Sequence, residues 1–177
     1  MIYIVGILFV LVAGICFAAA RQPNRFNVTR TAAINAPPEM IFPHVNDLQL
    51  WGAWSPWARL DPTAKYTFDG LTFGAGAKTS WEGNRTVGAG SMTITDSRPY
   101  ETIKFRMDFL KPMKATNTAA FTFTPQGGQT LVSWNMSGDN NFMSKLVSLF
   151  MSCEKMVGEQ FDLGLANLKE VVAPAHL

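Results

Sequence analysis

Few residues in this chain are of a type that does covalent or acid–base chemistry, and their spacing does not bring them together. Of 177 residues two are histidines. His44 falls on a short helix and His176 in the tail, without paired cysteines or helical His spacing, so no metal centre is expected. His44 also lacks an acidic neighbour to orient it as a base. The two cysteines, Cys16 and Cys153, cannot form a disulfide framework and read as buried thiols. A serine nucleophile would sit on a G-x-S-x-G turn, and none occurs. Gly74-Ala75-Gly76-Ala77-Lys78-Thr79 approaches a phosphate loop, but Ala77 replaces the glycine before lysine and a strand follows instead of a helix. The 13 acidic residues alternate outward on strands or lie on polar helix faces, where nothing raises a carboxyl pKa for general acid work. The residues therefore predict no catalytic group, no metal and no cofactor.

What the chain has in quantity is large, adaptable apolar side chains, whose chemistry is noncovalent. The inward faces of the predicted strands carry Met92, Phe105, Met107, Phe121, Phe123, Trp134 and Met136, opposite Phe150, Met156 and Phe161 of a C-terminal helix. Trp54 and Trp57 belong to a cluster with Trp51 that either plugs one end of the core or lines the mouth of a cavity, and Trp81 joins them on a strand. Methionine suits irregular hydrophobic surfaces, so these residues can line a cavity that accepts varied ligands or fill an ordinary core.

Positioning them requires a concave partner for a long helix. From Asp139 to Lys169 apolar residues recur in steps of three and four (Phe142, Leu146, Leu149, Phe150, Cys153, Met156, Val157, Phe161, Leu165, Leu168), which predicts one amphipathic helix of about eight turns. The preceding hundred residues read as strands: 26–34, 65–68, 77–81, 91–96, 103–109, 118–123 and 130–136. The alternation is cleanest where Ile103, Phe105, Met107 and Phe109 point one way and Lys104, Arg106 and Asp108 the other, giving a sheet with one wet face. Asp69-Gly70 and Gly127-Gly128 mark turns. Between the first two strands Pro38, Glu39, Met40, Ile41, Phe42 and Val45 predict a short helix. A second follows with Leu48, Trp51 and Trp54, capped by Asn46 or Asp47 and stopped by Ser55-Pro56.

Residues 2–20 contain no charge and as a helix would span about 28 Å, close to a bilayer's hydrocarbon thickness. They predict a membrane anchor, with a cleaved signal ending at Ala18 and Ala20 as the alternative. Arg21, Arg25 and Arg30 follow the run, which places the folded domain on the cytoplasmic side; cleavage would instead make it secreted or periplasmic. The expected organisation is an anchor or signal over 1–20, a linker over 21–25, a domain over 26–172 and a tail over 173–177. Net charge is +2, from 15 basic and 13 acidic residues, and it is scattered, which argues against nucleic acid.

Ala36-Pro37-Pro38-Glu39 leading to Phe42, Asn46-Asp47-Leu48 with Trp51, Trp54-Ser55-Pro56-Trp57, and Trp81-Glu82-Gly83-Asn84 with Gly88, Gly90 and Ser91-Met92 together resemble the START-like (SRPBCC) superfamily. The nearest likeness is to its polyketide cyclase/dehydrase-type proteins. The resemblance spans Phe26 to Lys169. It implies an α+β helix-grip fold, a curved antiparallel sheet of about seven strands around the C-terminal helix, with a hydrophobic molecule or lipid held between them. The expected function is membrane-tethered binding of such a ligand. The alternatives are a polyketide cyclase or dehydratase, or a module that modulates a protein partner whose identity the sequence does not reveal.

Overall fold

The computed structural model describes residues 2–149 and 153–173, and the side chains of Ile2, Val5 and Cys153 are not among the described ones. The alternating segments form seven strands: β1 (Arg25–Ile34), β2 (Lys65–Asp69), β3 (Lys78–Glu82), β4 (Ala89–Arg98), β5 (Thr102–Lys111), β6 (Ala115–Gln126) and β7 (Gln129–Asp139). They make one antiparallel sheet in the order β1-β7-β6-β5-β4-β3-β2. The sequence thus places all seven, and α+β holds as the fold class. Gly127 and Gly128 both adopt positive φ, 53° and 89°, which closes the β6–β7 hairpin in a tight turn. On β5 Ile103 and Phe105 are buried, while Arg106 on the wet face pairs with Asp108 at 2.9 Å.

Between β1 and β2 lie α2 (Pro38–Asn46), a 3₁₀ helix (Leu48–Ala53) and α3 (Pro56–Leu60). Ile41, Phe42 and Val45 form the buried face of α2, whereas Met40 faces out. Asp47 caps the 3₁₀ helix by accepting from the Gln49 N–H at 2.9 Å. The expectation that Pro56 only stops a helix is corrected, because it also opens α3, where a fixed φ and a missing N–H cost nothing.

The single helix predicted from Asp139 to Lys169 is also corrected. Strand β7 continues through Gly138 to Asp139, paired with Phe26 and Arg25 of β1. Asn141 then caps α4 (Phe142–Ser148), its side chain accepting from the Ser144 N–H at 2.8 Å. The long helix is α5 (Cys153–Val172). Phe161, Leu165, Leu168 and Val172 bury its apolar stripe, but Phe142 on α4 is 50% exposed. The stripe is split because Asn141 opens a separate short helix, α4, which packs beside the N-terminal helix. Phe150 and His176 lie outside the described residues.

Helix α5 sits across the β1 side of the sheet. Arg30 of β1 pairs with Asp162 at 3.2 Å and Glu154 at 3.5 Å on α5. Gly158 leaves the space the Arg30 guanidinium occupies, since a Cβ there would strike it.

The first helix, α1 (Ile2–Ala20), has 19 residues, and most of its apolar side chains are exposed. Among the described residues no helix is long and apolar enough to cross a membrane, so the expected transmembrane helix is not supported by the fold. Cys16 is exposed, contrary to the expected burial, because it lies on this uncovered helix. Among the described side chains of α1 only Ala19 is buried, and the helix packs beside α4.

Candidate functional site

Helix α5 packs most closely on β1 and leaves part of the sheet's inner face uncovered across its whole width. A cavity of about 1090 Å³ remains there, at or above the upper end of ordinary small-molecule pockets. One row of residues in register crosses all seven strands: Phe68, Thr79, Met92, Met107, Asn117, Gly138 and Phe26. Every member of that row except Gly138 lines the cavity. The next row brings Tyr66, Trp81 and Phe109 beside it, in register with Gly90. Gly90 has to lack a side chain, because a Cβ there would lie 2.6 Å from the Trp81 ring. The indole therefore lies flat over β4, donating to the Val87 carbonyl at 3.3 Å, with Phe109 edge-on at 5.8 Å.

Trp51 and Trp57 from the short helices, Val147 from α4, and Met156 and Val157 from α5 complete the walls. The charged members of the lining, Arg25, Lys111, Lys114, Asp139 and Glu154, are all exposed. They ring an apolar interior with charge, and Arg25 and Asp139 pair with each other at 3.2 Å.

Of the residues expected to line a cavity, Trp57, Trp81, Met92, Met107, Trp134, Met136 and Met156 do so. Met156 is half exposed, so it forms part of the wall without being buried. Trp54, Phe105, Phe121, Phe123 and Phe161 are corrected to core positions. They are fully or almost fully buried, because the short helices descend onto that half of the sheet and fill it. Trp51 lies 4.6 Å from Trp54 between ring centroids and edge-on to Phe105 at 5.5 Å. Such pairs contribute about 0.5–1.5 kcal/mol each beyond area burial. The indole N–H groups of Trp51 and Trp54 donate to the Val45 and His44 carbonyls at 2.9 Å, satisfying acceptors that the end of α2 leaves free. Asn167 of α5 donates to the Trp54 carbonyl at 2.9 Å and locks the block to the helix.

Trp51, expected either to plug the core or to line a cavity mouth, lines the cavity. Sequence reasoning missed Phe26 as a lining residue, and also Tyr66, Phe68, Thr79, Phe109 and Asn117. The parity that points Phe121 and Phe123 inward also points Asn117 inward, and Trp81 does the same for Thr79. That signal was applied only to apolar residues, and Asn117 also fell just outside the predicted strand of 118–123.

Chemically the interior can enclose and orient a molecule. Tyr66 is its titratable group on the β2 side, and burial first, then the Asp61 charge, pushes its phenol above the ordinary value. Asp61 itself is held below the usual carboxyl range by the Thr63 hydroxyl, which donates at 2.6 Å, and by the Asn84 N–H. These bonds tie the end of α3 to the loop after β3. Among the described residues no cluster could hold a metal ion.

Solved structures share this architecture at low identity. A Mesorhizobium loti protein aligns over 86% of this chain and 100% of its own, with 14% identity and a TM-score of 0.64. The Aha1 dimer of Colwellia psychrerythraea aligns over 86% and 99%, with 16% identity and a TM-score of 0.61. CalU16 of Micromonospora echinospora aligns over 86% and 88%, with 16% identity and a TM-score of 0.55. No curated protein matches the sequence. A helix-grip sheet, a cavity beside its closing helix and a family model matched over residues 25–173 lead to one assignment: the chain belongs to the polyketide cyclase/dehydrase and lipid transport family.

Proposed function

We propose that the protein binds a lipid or another hydrophobic small molecule in the cavity between the sheet and α5, and that α1 tethers it to a membrane. The observation that carries the binding reading is the cross-strand row of Phe26, Met92, Met107 and Phe68, whose side chains line a hollow of about 1090 Å³. Water gains little there, and an apolar ligand would release it. The carboxylates of the lining, Asp139 and Glu154, are exposed, so binding is favoured over cyclase or dehydratase chemistry, which needs an acid or base beside the substrate. For the tether, the support is the exposed apolar surface of α1 and its packing beside α4, a helix that itself lines the cavity. Arg21 and Arg25 after α1 favour a domain on the cytoplasmic side. A tether would raise the concentration of the pocket near membrane-dissolved ligands.

Titration with pyrene tests the binding reading, because the ratio of its emission bands reports an apolar environment. Saturable one-to-one uptake by the wild type, lost in Thr79→Trp/Met107→Trp, is expected. Absence of uptake by the wild type would remove the reading.

A further inference from the structure

A polar side chain that opens into an apolar cavity is placed to hydrogen-bond what enters it. Asn117 is 9% exposed and lines the cavity; its amide is not among the buried side-chain atoms left without a partner, which among the described residues are His44 Nδ1 and Gln160 Oε1, so it opens to the hollow. Its neighbours across the strands are Met107 and Gly138. Gly138 gives the amide its berth: a Cβ there would collide with the Asn117 Oδ1 and lie 2.8 Å from the Phe26 ring. The backbone has thus been cleared to lay an amide along the cavity floor among methionine and phenylalanine. The other buried polar members of the lining are Ser55 and Thr79. The Thr79 hydroxyl already donates to the Thr67 carbonyl at 3.3 Å, while Ser55 makes no side-chain cap to α3. No buried member of the lining carries a charge.

We infer that Asn117 is the specificity-determining residue of the cavity, and that the ligand is an uncharged hydrophobic molecule bearing a hydroxyl or carbonyl oxygen within its apolar body. This rests on the hydrophobic-binding reading above and adds the chemistry of the ligand to it. An amide both donates and accepts, so it pairs with either oxygen type. A carboxylate or ammonium group at the same depth would lose its hydration without gaining a counter-charge. A purely hydrocarbon ligand would leave the amide unpaired and dry, which disfavours it against the oxygenated analogue.

The experiment compares pyrene with 1-hydroxypyrene on the full chain, in wild type, Asn117→Leu and Asn117→Thr. Wild type is expected to prefer 1-hydroxypyrene by about five- to tenfold. Asn117→Leu, close in shape, is expected to lose that preference, because pyrene no longer leaves an amide unpaired and 1-hydroxypyrene no longer gains a partner, and Asn117→Thr to restore part of it. Retained preference in Asn117→Leu, or equal binding of both probes by the wild type, would overturn the role of Asn117 while leaving the cavity reading standing. Failure of the wild type to bind either probe would overturn both. Should Asn117→Leu not fold, Asn117→Thr decides: a preference undiminished from wild type would contradict the inference, and a reduced one supports it.

Discussion

Trp134 stacks on Phe161 with ring centroids 4.0 Å apart and planes 8° from parallel, and this contact fixes where α5 lies on the sheet. It depends on Gly164, where a Cβ would fall 2.7 Å from the Trp134 ring. Gly→Ala inside a helix normally stabilises by up to about 1 kcal/mol. Here overpacking against a stacked ring is expected to cost about 1–3 kcal/mol. Urea unfolding of Gly164→Ala checks the sign, and a stabilised variant would mean that the stack is not what seats the helix.

The cavity should respond to charge differently from the core. Met107 is a part-buried wall residue, whereas Phe121 is fully buried. Met107→Glu is expected to fold, since its carboxylate reaches cavity water, and to lose pyrene binding by tenfold or more. Phe121→Glu is expected not to fold, because an unpaired buried charge costs several kcal/mol. Equal damage from both, measured by circular dichroism, would indicate that no hollow separates the two positions.

Asp61 gives a pH signature. Its carboxyl is held below the ordinary 3.8 by the Thr63 hydroxyl first and then the Asn84 N–H. A depressed folded value means that the carboxylate contributes stability above the unfolded value and loses it as pH falls through the folded one. Asp61→Asn is therefore expected to lower Tm near neutral pH, with the gap to wild type closing below 3.8. Taking the difference between the two proteins removes the similar lowering at Asp108. A gap that widens in acid would reverse the assignment.

For the tether, Leu8 and Leu11 are 61% and 58% exposed on α1. Under the proposed tether, replacing both with Arg removes apolar surface that α1 would lay against a bilayer and is expected to lower the fraction of the protein that sediments with membranes. Unchanged membrane fractionation would show that α1 is not what holds it there.

Strand alternation made the sheet legible in the sequence, since burial on one face forces a period of two at Ile103, Phe105 and Met107. The same periodicity misled at the C-terminus. Phe142 and Leu146 lead on to Phe161 and Leu165 by the same steps of three and four, and spacing alone does not record that Asn141 starts a separate helix. The cavity was legible only as a set of inward residues. Which of them meet a ligand depends on where the helices come down. Trp54 and Phe121 lie beneath the short helices and became core, whereas Trp81 and Met107 do not. Asn117 was overlooked because the predicted strand began at Thr118, whereas β6 begins at Ala115.

The most direct test of the cavity account is native mass spectrometry of the full-length protein after incubation with a total lipid extract. One uncharged hydrophobic molecule per chain is predicted on the wild type and none on Thr79→Trp/Met107→Trp. A wild type that stays ligand-free, or a narrowed variant that carries the same molecule, would contradict it.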